Sequence, residues 1–356
     1  MDKDFHAQRD VRKQDELVRL YRELTATYRN GSSVQYDSLN PRVIRQRRAL
    51  TRRIDALVIN HIKTKFAELK AQSNEKPSRS ILSLSLQDIN TLNDRVLQET
   101  CHQLKSFLFA GHDTSSILLE WAFYELSRTP RALDTLRREL DDIFGAESSP
   151  VVVQKKLLAP GGDGLLKRMP YTSAVIKEIL RLYPPSGSAR YMPPGTGFHV
   201  QLPDGKMLCL DGVIIYNCST LVQRDKAVYG PTKDEFLPER WLGDTDTGLG
   251  LPMDRLDDRE NGPVAAGRVP ASAWRPFERG PRSCIGQELA NLEARVVLAC
   301  TARRFDFVKV GLGAVARNST GMPILDAKGQ YGVESELFNV GFFLYRWMQA
   351  VANFGC

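Results

Sequence analysis

The chain has 356 residues, of which 42% are apolar and 26% are charged. This composition is ordinary for a globular protein with a large core, and it excludes a disordered or repetitive chain. No run of about 18 apolar residues occurs, and the polar start Met1–His6 lacks the pattern of a signal peptide. The sequence as given therefore predicts a soluble chain.

The charge and the cysteines narrow the class of protein. The formal net charge is +7, and much of it lies at 45–53, where a solvated helix face is favoured over a docking surface for an acidic partner. No nucleic-acid motif accompanies this stretch, so no nucleic-acid partner is predicted. Six cysteines, at 101, 209, 218, 284, 300 and 356, have neither zinc nor disulfide spacing, which predicts the reducing cytosolic side of the cell.

The predicted elements are mostly helices, so the fold class is mainly α with small β-sheets. Apolar residues at three-and-four spacing predict a long amphipathic helix over 41–72 with a basic outer face. The other predicted elements, in chain order, are a polar connector at 70–85, a second long helix at 89–126, a helix from Pro130 to Phe144 capped by Thr129, a helix from Tyr171 to Tyr183 stopped by Pro184, a hairpin at 198–210 around Asp204-Gly205, and loops up to Trp274.

The middle of the second long helix contains a local conflict. The segment Ala110-Gly111-His112-Asp113-Thr114-Ser115 places a glycine among polar residues in a helix interior. Such a conflict between local propensity and the surrounding pattern is a hint of function. A kinked core helix with a solvent-facing Asp113 is the alternative.

The strongest single signal is Cys284, which lies in the segment Phe277-Glu278-Arg279-Gly280-Pro281-Arg282-Ser283-Cys284-Ile285-Gly286. The pattern Phe-x-x-Gly-x-Arg-x-Cys-x-Gly should arise by chance in a chain of this length with a probability on the order of one in ten thousand. Strong helix formers follow at 287–299, so Cys284 is predicted at a helix N-terminus, whose dipole favours a metal-binding thiolate. A buried structural cysteine is the alternative.

This pattern resembles the cysteine loop of the cytochrome P450 family, and the resemblance covers roughly residues 1 to 310. It implies that Cys284 is the axial thiolate ligand of the iron of heme b, iron protoporphyrin IX. It also implies that Arg282 faces a heme propionate, that Phe277 packs beside the sulfur, and that Gly286 permits a tight turn and close approach of the backbone to the heme. Arg190 occupies a position where the family often places another propionate ligand, although a surface arginine is the alternative.

Two more motifs resemble the same family. Ala110 and Gly111 match the small residues of its oxygen-activation segment, which leave room for dioxygen and substrate. The adjacent Asp113 and Thr114 would relay protons as catalytic residues.

The last motif is a predicted buried triad. Glu178 and Arg181 lie three residues apart on one helical face, where they can pair. The resemblance joins them to Arg240, in Pro238-Glu239-Arg240, as a structural triad that holds the cysteine loop.

The resemblance implies a heme-thiolate monooxygenase that inserts one oxygen atom from O2 into a small apolar organic substrate by hydroxylation or epoxidation. Electrons would come from a separate NADPH-dependent flavoprotein reductase. Gly-Gln-Glu-Leu-Ala after Cys284 and Arg128-Thr129-Pro130 are most similar to fungal members that act in secondary metabolism. Full-length relatives are membrane-anchored on the cytosolic face of the endoplasmic reticulum, so that location is expected by resemblance.

The expected organisation is one incomplete cytochrome P450 domain over 1–356. It comprises helices at 1–85 ahead of the oxygen-activation helix, a heme-binding core at 86–310 and a C-terminal segment at 311–356, whose tail from about 341 is atypical. The fold is expected to lack its N-terminal part, as in a truncated or mis-spliced protein. Two alternatives stay open: a catalytically silent fragment with weak or no heme binding, and an O2-independent thiolate-heme isomerase or dehydratase.

Overall fold

A computed structural model describes residues 4–7, 10–29, 40–71, 80–242 and 269–335 of the chain. Its α-helices are α1 (Glu16–Arg29), α2 (Pro41–Ala71), α3 (Ile81–Leu86), α4 (Asp94–Arg128), α5 (Pro130–Phe144), α6 (Pro150–Leu158), α7 (Asp163–Lys167), α8 (Pro170–Leu182), α9 (Ser219–Val222), α10 (Lys226–Tyr229) and α11 (Gln287–Thr301). Its strands are β1 (Ser188–Tyr191), β2 (His199–Gln201), β3 (Met207–Cys209) and β4 (Ile214–Asn217). These elements confirm the predicted mainly α class with small sheets.

The chain forms two compact units, one up to His112 and one from Asp113 onward. The first unit has its own apolar core, whose buried members are Leu17, Ile54, Val58, Ile62, Leu82, Leu86, Leu97, Cys101 and Leu104. The expected division of the chain at 85/86 and at 310/311 stays a prediction.

Helix α2 shows why the first unit has this core. Ile54, Val58 and Ile62 follow each other at a spacing of four, which places them on one face of the helix, and all three are buried. The other side carries Arg45 and Arg52, which are both exposed. The predicted basic outer face of this helix is therefore confirmed.

The second unit is built around α8, which is buried on nearly every side. Helices α5 and α11 both pack against it. Apolar side chains that share this core include Leu136, Leu140, Val175, Ile176, Ile179, Leu298 and Ala299. Because α8 is surrounded by protein, its charged residues Glu178 and Arg181 must find their partners inside the fold.

The four strands form two small antiparallel sheets. The predicted hairpin is confirmed, since β2 pairs with β3 and places His199 opposite Cys209. A second pair, β1 with β4, places Ser188 opposite Asn217. Of this second pair, β4 falls where the sequence predicts a loop, and no element was predicted at β1. The two short strands lie far apart in the chain, so local patterns do not reveal their pairing.

The predicted helices at 41–72, 130–144 and 171–183 match α2, α5 and α8 to within one residue at each end, whereas α4 begins at Asp94 and not at 89. The polar connector predicted at 70–85 is wrong over its last part, because α3 forms there with Leu82 and Leu86 buried and Ser80 as its N-cap. Helix α4 continues through Gly111 without interruption, so the segment at 110–115 does not break the helix. Thr129 is the N-cap residue of α5, but its hydroxyl accepts a hydrogen bond from Gln330 rather than from α5.

Two expectations fall outside the described residues, namely the atypical tail from about 341 and any role of Cys356. Within the ranges that the structure does describe, no helix combines the length and the apolar character needed to cross a membrane.

Candidate functional site

Cys284 lies in a closed loop. The loop turns at Gly280, whose φ of +76° is a left-handed conformation that favours glycine. The backbone N–H of Cys284 donates to the carbonyl oxygen of Phe277 at 2.8 Å, which ties the two ends of the loop together. The Cys284 side chain is exposed, so the thiol is presented on the surface of the second unit.

The loop leads directly into α11. The N-cap residue of this helix is Gly286, which has no side chain to cap the first turn. Unpaired N–H groups and the helix dipole therefore favour negative charge ahead of α11, where Cys284 lies. The backbone of Gly286, at φ −87°, is one that any residue adopts, and an added Cβ would lie 3.8 Å from the Cys284 Sγ. The tight turn of the loop is thus made by Gly280 and not by Gly286.

Glu278 fixes the cysteine loop to the sheet of β1 and β4. Its carboxylate accepts hydrogen bonds from the hydroxyl of Ser188 and, at 2.7 Å, from Nδ2 of Asn217. Burial alone would raise the pKa of Glu278, but these two bonds and the positive charges of Arg275 and Arg190 lower the pKa below its ordinary value. Because Glu278 has a φ of +57°, these contacts offset a strained backbone next to the cysteine loop.

Glu178 and Arg181 form a buried, bidentate ion pair on α8. Nε and Nη2 of Arg181 each donate to a different oxygen of Glu178, both at 2.8 Å, and neither side chain is exposed to solvent. The remaining donors of Arg181 reach the carbonyl oxygens of Gln223, Lys233 and Glu235 at 3.0, 2.5 and 2.9 Å. A fully buried guanidinium with its donors satisfied in this way rigidly joins α8 to the loops at 223–235.

The predicted third member of the triad meets the same carboxylate. Nε of Arg240 donates to Oε1 of Glu178 at 3.2 Å, and the backbone N–H of Leu237 donates to the same oxygen at 3.0 Å. The indole N–H of Trp241 donates to Oε2 at 2.9 Å. Five donors therefore surround one buried carboxylate. The guanidinium carbon Cζ of Arg240 also lies over the ring of Tyr229, 5.8 Å from the ring centroid.

The N-terminus of α8 is capped by a residue of another helix. Its own N-cap residue, Met169, makes no side-chain cap. Glu139 of α5 instead accepts hydrogen bonds from the backbone N–H groups of Tyr171 at 2.6 Å and Thr172 at 2.8 Å, and from the Thr172 hydroxyl at 2.6 Å. Burial raises the pKa of Glu139 even though these bonds lower it. This carboxylate fixes α8 against α5.

The other predicted site residues are distributed over three elements. On α4, Ala110 and Gly111 are exposed, and an added Cβ at Gly111 would meet no atom within 4 Å. Asp113 and Thr114, which follow on the same helix, are partly buried.

The predicted propionate ligands Arg190 and Arg282 are both exposed. Arg190 lies on β1, and Arg282 ends the short helical turn of the cysteine loop. Phe277 is partly buried and packs edge-on against Trp274, with ring centroids 6.1 Å apart. Arg190 lies two residues after Ser188 on β1, and Ser188 donates to Glu278 of the cysteine loop.

The surface around Cys284 fits the heme that the sequence pattern implies. Ile285 is 89% exposed and Leu289 is 54% exposed. Ile285 follows Cys284 directly and Leu289 lies in the first turn of α11, so both offer apolar surface to a bound group. A thiol ahead of a helix N-terminus, beside apolar side chains and with Arg190 and Arg282 exposed in the same unit, has the donor chemistry for a flat apolar group that carries carboxylates.

The comparison with known families decides the family of this chain. The model of the cytochrome P450 family matches residues 5–326. The chain belongs to the cytochrome P450 family. This P450 contains Cys284, Glu178, Arg181 and Arg240 within the matched range.

Curated relatives of this P450 include two fungal monooxygenases. The cytochrome P450 monooxygenase acrF of Aspergillus aculeatus is 33% identical over 315 residues, which are 84% of this chain and 58% of that protein. The cytochrome P450 monooxygenase polC of Polytolypa hystricis is 37% identical over 206 residues, which are 57% of this chain and 32% of that protein. A bifunctional cytochrome P450/NADPH–P450 reductase of Gibberella moniliformis is 32% identical over 231 residues, 64% of this chain and 17% of that protein. The matched part is 58% or less of each relative's length.

Sequence reasoning missed three residues of this candidate site. Trp241 follows the Pro-Glu-Arg motif directly, so the motif pointed to it, but its contact with Glu178 depends on the fold. Glu278 lies inside the quoted cysteine pattern at a position that the pattern leaves open. Gln223, which contacts both α8 and the segment ahead of the cysteine loop, carries no sequence signal.

Proposed function

We propose that this P450 is a heme-thiolate monooxygenase that inserts one oxygen atom from O2 into a small apolar organic substrate by hydroxylation or epoxidation. The observation that carries the proposal is the exposed thiol of Cys284 ahead of α11, in a loop fixed by Glu278 and adjoining the buried network of Glu178. The names of the two fungal relatives, both monooxygenases, support the same reaction class.

The residues of the cysteine loop would bind and orient the cofactor. Heme b, when bound, supplies an iron that activates dioxygen, and a thiolate ligand favours cleavage of the O–O bond. Cys284 would supply this thiolate, stabilised by the N-terminus of α11. Phe277 would keep water from the sulfur, and the exposed guanidinium groups of Arg282 and Arg190 would bind the two propionates.

Residues of α4 would supply protons and leave room for the reactants. The hydroxyl oxygen Oγ1 of Thr114 would hold and pass a proton, and the carboxyl group of Asp113 would replenish it. Ala110 and Gly111 would leave room for dioxygen and substrate, in line with the open space around Gly111. All four residues lie on α4, which is continuous through this segment.

A redox partner is part of this proposal. Family membership implies O2 and an electron donor, and the Gibberella relative carries a reductase in its own name. For this chain we propose a separate NADPH-dependent flavoprotein reductase. A location at the cytosolic face of the endoplasmic reticulum and a role in fungal secondary metabolism are proposed on the family resemblance.

The reaction class can be tested with oxygen isotopes. The heme-loaded chain would be incubated with NADPH, a fungal P450 reductase and a panel of apolar probe molecules under dioxygen labelled with oxygen-18. The proposal predicts products that each gain one labelled oxygen atom. Products that form equally well under nitrogen, or that take their oxygen from water, would contradict a monooxygenase.

A further inference from the structure

Gln223 is a fully buried glutamine whose side chain bridges two segments of the second unit. It lies at the C-terminus of α9 and has no exposed surface. Its Nε2 donates to the carbonyl oxygens of Leu180 and Arg181, both at 3.1 Å, and its Oε1 accepts the backbone N–H of Arg275 at 2.7 Å. Every polar atom of this amide therefore has a protein partner.

The partners also fix which way the amide points. Two carbonyl oxygens can only accept, so they must face the NH2 group, and a backbone N–H can only donate, so it must face the oxygen. The two carbonyls belong to the last turn of α8, where helical C=O groups lack partners within the helix. Gln223 thus caps α8 on one side and holds Arg275 on the other.

Both ends of this bridge belong to the cysteine site. On the α8 side, Nη1 of Arg181 also donates to the backbone oxygen of Gln223 at 3.0 Å. On the other side, Arg275 lies two residues before Phe277, whose carbonyl oxygen accepts the N–H of Cys284. One hydrogen-bonded route from the ion pair on α8 toward the cysteine loop therefore runs through the Gln223 side chain. A second bond joins the same segments, from the indole N–H of Trp274 to the carbonyl oxygen of Lys177 at 3.1 Å.

We propose that Gln223 is a positioning residue that transmits the rigidity of the Glu178–Arg181 pair to the cysteine loop. This inference rests on the proposed function, because its purpose is to hold Cys284 in the geometry that binds heme iron. A buried amide is suited to this task, since it supplies two donors and an acceptor without a charge that would need its own counter-ion. Arg275, fixed in this way, holds the start of the loop in place.

The test compares Gln223→Leu with two other variants of the full chain. Gln223→Leu removes both sides of the bridge. Gln223→Glu keeps an oxygen acceptor for Arg275 and, because burial favours the neutral carboxyl group, one O–H donor for the carbonyl oxygens of α8. Arg224→Leu is the matched control. Arg224 caps the same end of α8 by donating to the carbonyl oxygen of Leu182 at 2.9 Å, but its side chain is not the one that bonds to Arg275.

Two readouts separate positioning from general stability. The first is hydrogen exchange of the Arg275 amide, which should be at least about tenfold faster in Gln223→Leu than in the unmodified chain. The second is the fraction of reduced, carbon monoxide-bound heme with a thiolate spectrum, which should fall in Gln223→Leu and recover in Gln223→Glu. Arg224→Leu should change neither readout, even if the global stability falls.

The outcomes distinguish this proposal from the function itself. Unchanged Arg275 exchange in Gln223→Leu overturns the positioning role, whatever the spectrum of the unmodified chain shows. Absence of any thiolate spectrum in the unmodified chain contradicts the proposed function. If Gln223→Leu does not fold, native-state hydrogen exchange of the unmodified chain replaces it. The amide of Arg275 is then compared with that of Tyr183, which donates to the carbonyl oxygen of Ile179 at the end of α8. The two amides should exchange with the same free energy of opening, and different free energies overturn the proposal.

Discussion

The indole N–H of Trp241 donates to Oε2 of Glu178 at 2.9 Å, although this carboxylate already accepts two hydrogen bonds from Arg181. Glu178 is completely buried, so each donor offsets part of the cost of removing its charge from water. Trp241 therefore adds a polar contact to a site where its ring alone would provide only packing.

Trp241→Phe should lower the free energy of unfolding by about 1.5 kcal/mol, because a hydrogen bond to a buried charged acceptor is lost. The measurement is urea unfolding followed by circular dichroism. A matched comparison replaces Trp241 by benzothienyl-alanine, which keeps the bicyclic shape but has sulfur in place of the N–H donor. The benzothienyl variant should lose about this much stability, and Trp241→Phe should lose at least as much, because its smaller ring also packs less well. Full stability of the benzothienyl variant would show that the N–H donor contributes nothing.

Arg181→Lys should destabilise the protein by about 3–5 kcal/mol, because lysine cannot make the bidentate pair and leaves Glu178 short of donors in a dry environment. Arg95→Lys is the control. Arg95 pairs with Glu99 on an exposed helix face, where solvent screens the pair and its contribution to stability is small. Equal effects of the two substitutions would contradict the special weight given to the buried pair.

Glu278 predicts a pH dependence of the cysteine loop. Its pKa in the folded protein lies below its ordinary value, so its ionised form stabilises the fold at neutral pH, and this contribution is lost as the pH falls through the lowered pKa. The unmodified chain should therefore lose more stability than Glu278→Gln when the pH falls below about 4.5, the ordinary value. Identical acid unfolding curves for the two proteins would rule this contribution out.

Glu139→Ala should weaken α8 at its N-terminus. The substitution leaves the N–H groups of Tyr171 and Thr172 without their acceptor, and loss of a side-chain cap costs about 0.5–2 kcal/mol. Asp142→Asn, an exposed position on the same helix, serves as the control and should have little effect. The measurement is the free energy of unfolding of each variant, which should be lower for Glu139→Ala than for Asp142→Asn. Equal values would show that α8 needs no cap from α5.

The sequence predicted the parts of this site that depend on local spacing. Glu178 and Arg181 are three residues apart in an apolar helix, so their contact follows from helical geometry alone. Gly280 and the helix after Cys284 were likewise predictable, because turn and helix signals are local. Each of these features depends on residues that are close together in the sequence.

The contacts that join separate segments were not predictable. The acceptors of Arg181 at Gln223, Lys233 and Glu235 lie in loops whose position depends on the packing around α8. Glu278 reaches Ser188 and Asn217 only because β1 and β4 pair. Such contacts arise from the whole fold, and a single sequence gives them no periodic or compositional signal.

The central claim is that Cys284 is the thiolate ligand of a heme iron. The most direct measurement is the carbon monoxide difference spectrum of the reduced, heme-reconstituted chain, alongside Cys284→Ser and Cys209→Ser, which removes another exposed thiol. We predict a Soret band at the thiolate position in the unmodified chain and in Cys209→Ser, and its loss in Cys284→Ser. A thiolate band that persists in Cys284→Ser, or that is absent from the unmodified chain, would contradict the account.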